Sequence, residues 1–143
     1  MSQRDKDFGI EEARPGQGLA VLAEALFLLN LLALPGLAFV MLGGLWLKFR
    51  DSAPALARQH LKQACYVSFW GGVLITGMGS VILLAGGLHS PWTWVTLILY
   101  FTCIHSTLVL FGMYALIRAM NGQPWRYPLI GPAVDLPPTA KTR

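Results

Sequence analysis

The stretch APALARQHLKQACYVSFWGGVLITGMGSVILLAGG, residues 53–87, decides the fold class. Its first third is basic and amphipathic, and from Ala64 onward it carries no charge, so one helix can leave a membrane surface and cross the bilayer. The uncharged run Ala64–Gly87 exceeds the roughly 20 residues that a hydrocarbon core of about 30 Å demands. Inside a soluble domain it would need a core that the rest of a 143-residue chain cannot wrap around it. Hydrophobic residues at 55% and charged residues at 13% put the whole chain in the same class. The expectation is an all-α integral membrane protein with one small membrane domain.

Upstream, the apolar run 19–47 is interrupted only by Glu24, Asn30 and Pro35 and reads as a first span. Proline removes an N–H and clashes with the carbonyl four residues back, so Pro35-Gly36 predicts a kink near mid-membrane. Glu24 lies about a turn inside the apolar boundary, as an interfacial carboxylate or a functional one within the membrane. Trp46, Lys48, Phe49 and Arg50 form the aromatic and basic signature of a water interface. Ser52 can cap the next helix and Pro54 suits its first turn. Residues 54–63 read as a short interfacial helix leading into the second span, with Leu56 and Leu61 toward lipid and Arg58, Gln59, Lys62 and Gln63 toward water. Downstream, residues 86–91 form a tight turn, and Trp92 and Trp94 open a third helix that ends before Arg118.

Three transmembrane helices follow, over about 19–47, 64–87 and 92–117, within a membrane domain 19–119. A polar tail, 1–18, precedes it; it lacks the basic start and cleavage site of a secretory signal and has room for a helical turn over 8–14. A proline-rich tail, 120–143, follows, opened by the helix stop Asn121-Gly122 and by Trp125, Arg126 and Tyr127 at headgroup depth. Arg4, Lys6 and Arg14 precede the first span, and the turn after the second holds no Lys or Arg. Lys48, Arg50, Arg58, Lys62, Arg118, Arg126, Lys141 and Arg143 fall on the other side of a three-span chain, which predicts N-terminus out and C-terminus in. The net charge of +4 therefore reflects topology, and no nucleic-acid partner is expected.

Ala64, Ser68, Gly72, Thr76 and Ser80 recur at four-residue intervals, with Gly79 and Gly86 extending the same side. Small residues so spaced let helix backbones approach, so this row is the expected packing seam, within the chain or against another protein. Asn30, Thr76, Thr102 and His105 are the polar residues at membrane depth. No phosphate loop, paired carboxylates or metal-ligand cluster occurs, so no catalytic residue, metal or cofactor is expected and the chain reads as a non-enzyme. His105 is the one candidate cofactor residue. It can be structural glue bonded to Thr76, Thr102 or a carbonyl, an axial haem or metal ligand, or a quinone or partner contact, although no second histidine lies at its depth. Cys65 and Cys103 both fall in apolar runs and read as small buried hydrophobes.

Two stretches, ARQHLKQAC at 57–65 and AMNGQPWRYPLIG at 119–131, together with Pro35 ahead of a basic loop, carry a resemblance. They resemble a family of small bacterial membrane proteins, mostly known as a domain of unknown function. That family is related to the small membrane component of the chloroplast Tic import translocon. His60, Gln63 and Ala64 fit its His-x-x-Gln-Ala element, and Asn121, Gly122, Arg126, Tyr127 and Pro128 fit its Asn-Gly-x-x-x-Arg-Tyr-Pro element. Cys65-Tyr66 departs from the usual Asn-Phe-like pair. The resemblance implies a multi-pass protein of the bacterial cytoplasmic (inner) membrane. Under the three-span topology both elements fall on the cytoplasmic face, where His60 and Gln63 can meet Arg126 and Tyr127 in a polar clasp or each element can anchor its own helix end at the headgroups. The functional expectation is a small accessory or assembly subunit of a larger membrane complex, translocon-like in form, with the bilayer and other membrane-protein subunits as partners. Its rivals are an electron-transfer anchor holding haem or quinone through His105, and a homo-oligomeric channel.

Overall fold

The computed structural model describes residues 14–128 and 131–132. The turn expected over 8–14, the acidic N-terminal residues and the C-terminal Lys141 and Arg143 lie wholly or largely outside them. Among the described residues there are four helices and no strands: α1 Gln17–Leu32, α2 Leu37–Phe49, α3 Ala55–Gly86 and α4 Pro91–Met120.

Only α3 and α4 are long and apolar enough to cross a membrane. At 1.5 Å per residue they measure about 48 and 45 Å. The apolar windows that qualify them are just 22% and 11% buried, so their hydrophobic side chains face outward. A core helix of a soluble domain would show the reverse.

The single span expected over 19–47 is not a single helix, and this corrects the count from three spanning helices to two. Pro35 has no N–H to continue the ladder, and Gly36 takes φ 84, a left-handed backbone that a side chain would strain. Asn30 Oδ1 accepts the Gly36 N–H at 2.9 Å and fixes the break. The chain then reverses where a kink was expected. The Cys65 thiol reaches the Leu42 carbonyl of α2 at 3.5 Å, and the Ala53 N–H bonds back to Phe49. Pro54 stands beside Gly16 at the start of α1, where an added Cβ would meet it at 3.0 Å. Thus α1 and α2 form a hairpin whose two ends sit together.

The bundle direction follows from named contacts. Along α1, Gly16 lies against Ala57, while Phe27 and Leu28 lie against Gly112. Arg14 Nη1 donates to the Gly122 carbonyl at 3.1 Å and Gln17 Nε2 donates to the Met120 carbonyl. So α1 runs parallel to α3 and antiparallel to α4, and residue 17 shares an end with residue 120. Termini on opposite faces required three crossings, and that premise fails.

The core occupies the half of the bundle where all four helices meet: Ala23, Leu26 and Phe27 of α1, Ala38 and Leu42 of α2, Leu61, Ala64 and Val67 of α3, Leu108 and Ala115 of α4, and Tyr127. Leu61, expected to face lipid, is buried there, and Gln59 and Gln63, expected to face water, are buried beside it. The interfacial helix 54–63 is accordingly the covered first part of α3. Pro54, not Ser52, occupies its N-cap position.

Beyond the hairpin tip α3 and α4 continue as an antiparallel pair. Gly71 faces Leu108, Gly79 faces Leu97, and Gly86 packs so tightly on Thr93 that no Cβ fits between them. Tyr100 donates its hydroxyl to the Leu74 carbonyl at 2.6 Å.

Gly112 is where α1 comes closest to α4: a Cβ there would meet Phe27 Cε1 at 2.7 Å. Gly112→Leu is expected to lower stability by about 1–3 kcal/mol through overpacking. Gly77→Ala, with nothing within 4 Å of its Cβ, should leave it unchanged. Thermal unfolding of the detergent-solubilised pair of variants checks this.

Candidate functional site

α4 ends on a Schellman motif: Gln123 N–H bonds to the Arg118 carbonyl at 2.8 Å, Gly122 N–H bonds to Ala119 at 3.0 Å, and Gly122 has φ 62. The Asn121-Gly122 helix stop expected from sequence is thus the turn that sends residues 123–128 back over the base of α3. Arg14 fills the space a Cβ on Gly122 would need, at 2.9 Å.

Three polar residues of α3 hold that returning segment. Gln59 Nε2 donates to the Trp125 carbonyl at 2.7 Å, His60 Nε2 meets the Gln123 carbonyl at 3.0 Å, and Gln63 Oε1 accepts the Tyr127 N–H at 2.9 Å. Being at i, i+1 and i+4, they share one side of a helix. Gln59 Oε1 and Gln63 Nε2 have no protein partner, so each glutamine bonds to the segment through one end of its amide. Trp125 meets Tyr114 edge to face at 4.5 Å between ring centres and closes the segment's outer side.

Glu24 of α1 stands at the centre. It is 0% exposed, with Oε1 at 2.7 Å from His60 Nδ1 and Oε2 accepting the Tyr127 hydroxyl at 2.6 Å. His60 and Tyr127 are each 1% exposed, and Phe27 packs edge to face on Tyr127 at 5.6 Å. A carbonyl can only accept, so His60 Nε2 carries a hydrogen. One further proton lies between Nδ1 and Oε1. On nitrogen it makes an imidazolium–carboxylate pair, on oxygen a neutral pair, and the site is electrically neutral either way. That is the condition under which a carboxyl can be buried without an uncompensated charge. Burial, reinforced by the neighbouring Glu24 carboxyl, holds the Tyr127 phenol well above its ordinary pKa of 10.0.

Of the residues singled out from sequence, the fold brings together His60, Gln63, Ala64, Gly122 and Tyr127, all buried. Asn121, Arg126 and Pro128 are exposed, and Arg126 turns away to donate its Nε to the Gly131 carbonyl at 3.2 Å. The interfacial reading of Glu24 is corrected, since its carboxyl is enclosed. Asn30 is the clip of the hairpin tip. Thr76 and Ser80 donate to carbonyls of their own helix, Gly72 and Thr76, each at 2.7 Å, and both are exposed with Gly72 and Thr102. Of the expected seam, Ala64, Ser68 and Gly79 are buried. His105 is half-buried and stacks on Phe101 at 5.0 Å between ring centres. Cys65 is partly buried and Cys103 exposed. Among the described residues no cluster of three or more His, Cys, Asp or Glu is placed to hold a metal. Gln17 and Gln59 were not anticipated as site residues; the amphipathic pattern of 54–63 puts Gln59 toward water.

Residues 16–134 match the magnetosome magnetite crystal formation protein family, MamF/MmsF, and the chain belongs to that family. No curated protein and no solved structure gives a match. The match overturns the Tic-related assignment. The two elements behind that resemblance are the two faces of the clasp, and helix-packing residues of this kind define a fold without defining a function.

Replacing Glu24 by Leu strands His60 Nδ1 and the Tyr127 hydroxyl and should cost about 3–5 kcal/mol, the range for breaking a buried pair from one side. Glu24→Gln, whose amide oxygen can accept the Tyr127 hydroxyl while its NH2 donates to the bare Nδ1 of a neutral His60, should cost less. Because Tyr127 is held above 10.0, its neutral phenol supports the fold fully below that pH, and the contribution falls as pH rises from there through the folded-state value. Tyr127→Phe should be less stable at neutral pH and show a shallower alkaline loss. Tm against pH from 7 to 12 reads both.

Proposed function

We propose that the chain is a small, non-enzymatic integral component of the magnetosome membrane that serves crystal formation as an accessory to other membrane proteins. The observation that carries this reading is the outward apolar surface of α3 and α4, whose spanning windows are 22% and 11% buried. A surface of that kind belongs in lipid or against another membrane protein. The exposed small face Gly72, Thr76 and Ser80 lies above the hairpin, where Gly72 has nothing within 4 Å of its Cβ position, and it suits close helix approach by a partner.

Orientation is part of the proposal. Arg14, Lys48, Arg50, Arg58, Lys62, Arg118 and Arg126 belong to the end of the bundle where the hairpin opens, while the 87–90 turn has no Lys or Arg. The positive-inside bias favours that end in the cytoplasm. Action through the membrane, with no direct ligation of the mineral, is favoured by the placement of carboxylates: among the described residues Glu24 is enclosed, and the exposed Asp51 sits beside Arg50 at the basic end, the end proposed to face the cytoplasm.

Gly72→Phe and Thr76→Phe together fill the open face and touch none of the clasp. Expressed in a magnetosome-forming strain lacking the native copy, this double variant should reach the membrane at wild-type level and give smaller or fewer crystals. It should also lose magnetosome-membrane proteins that co-purify with the wild type in mild detergent, while Asp51→Asn behaves as wild type. A wild-type protein that runs alone as a monomer, or a double variant with normal crystals, overturns the accessory reading.

A further inference from the structure

The α1–α2 hairpin is apolar, yet each leg is too short to cross. At 1.5 Å per residue the legs measure about 24 and 20 Å, against a hydrocarbon core of about 30 Å. Its tip carries exposed Leu32, Leu34 and Leu37. Every backbone N–H from Ala33 to Gly36 is paired: Ala33 and Leu34 donate to the Leu29 carbonyl, Gly36 donates to Asn30 Oδ1, and Pro35 has none. An irregular turn pointing into hydrocarbon must satisfy these groups internally, and this one does.

Depth follows from the clasp. Glu24 is level with His60 and the two helices run parallel, so Leu32 comes level with Ser68 and the tip stands short of Ile75, the middle of the apolar run 64–86. The half of the bundle on the basic side therefore holds four helices and the other half two. With helices about 10 Å across, the basic half has roughly twice the cross-section.

From this geometry we infer that α1–α2 is a re-entrant hairpin confined to the leaflet on the basic side. The resulting wedge makes the protein accumulate in lipid surfaces that are convex on that side. This rests on the membrane reading proposed above. The occupant recognised is the bilayer itself: a leaflet under outward bending has room for two additional helices at one depth, and a flat one must be spread to admit them.

The experiment uses the full chain with Cys65 and Cys103 changed to Ala. Single probes are placed by Pro15→Cys, Leu34→Cys, Leu88→Cys and Pro128→Cys, and each is treated with a membrane-impermeant maleimide from either side. Pro15 and Pro128 positions should react from the cytoplasmic side, Leu88 from the opposite side, and Leu34 from neither until detergent is added. Reaction of the Pro15 position on the side of Leu88 overturns the hairpin. If instead Leu88 reacts on the same side as Pro128 and the chain leaves the membrane in alkaline carbonate, the membrane reading itself fails.

The wedge is then read separately. Labelled protein is reconstituted into giant vesicles with the basic end outside, and narrow tethers are pulled from them. The tether-to-vesicle ratio of protein over a lipid dye should exceed unity and grow as the tether narrows. A ratio of unity at every radius overturns the wedge. Asn30→Leu, Pro35→Ala and Gly36→Ala together remove the side-chain bond, the missing N–H and the left-handed residue that shape the tip and should weaken the enrichment, and a variant as enriched as the wild type also counts against it. If this triple variant does not fold, the wild-type ratio decides alone.

Discussion

The fold depends on one buried carboxyl. Glu24 lies in an otherwise apolar stretch of α1, and enclosing it without partners would cost several kcal/mol. Its two oxygens are met by His60 of α3 and Tyr127 of the segment after α4, three places far apart in the chain. Satisfying one residue therefore fixes α1 against α3, sets its depth, and folds the C-terminal segment under the bundle. The Schellman turn at Gly122 and the two glutamines of α3 make that segment's path determinate, and the Phe27–Tyr127 contact surrounds the polar pair with apolar rings.

This constraint also explains why the two halves of the molecule differ. On the clasp side four helices supply a packed core, with alanines at positions 20, 23, 38, 57, 64, 115 and 119 letting backbones come close. On the other side α3 and α4 meet through Gly71, Gly79 and Gly86 against Leu108, Leu97 and Thr93 and through the Tyr100–Leu74 hydrogen bond, and much of their remaining surface is exposed aliphatic and aromatic side chains. The first half is held by its own contacts. The second relies on its surroundings, as expected of a family of magnetosome membrane proteins.

The legible and illegible parts of the sequence divide on physical grounds. The runs 64–87 and 92–117 lack charge over more than a bilayer's thickness, and they fall in α3, which begins nine residues earlier at Ala55, and in α4. Run 19–47 is just as apolar, but summed hydropathy does not record direction, and the reversal at Pro35-Gly36 is decided by a side-chain bond from Asn30. Glu24 was read as interfacial because its partners lie 36 and 103 residues away. The four-residue row of small residues is divided between two faces for a geometric reason: each step advances about 40° on a helix of 3.6 residues per turn, so by Ser80 the row has rotated about 160° from Ala64. Ala64 and Ser68 therefore face the core while Gly72, Thr76 and Ser80 face outward. The family elements were found by their residues and misassigned in kind, because they encode packing.

The clasp and the hairpin tip are mutually dependent. The tip's own bonds, from Asn30 and Leu29, close the turn but do not attach it to α3 or α4. Attachment comes lower down, from Glu24 and from Phe27 and Leu28 against Gly112. Were α1 and α2 instead to extend as one crossing helix, Glu24 could keep His60 and Tyr127, but Lys48 and Arg50 would be carried to the opposite face of the bilayer, against the positive-inside bias. They would also end far from Pro54, which four residues of chain, reaching at most about 14 Å, must join to Arg50. The short loop and the two charges thus oppose the straight form as firmly as Asn30 favours the bent one. The chain's asymmetry across the bilayer is a consequence of connectivity as much as of packing.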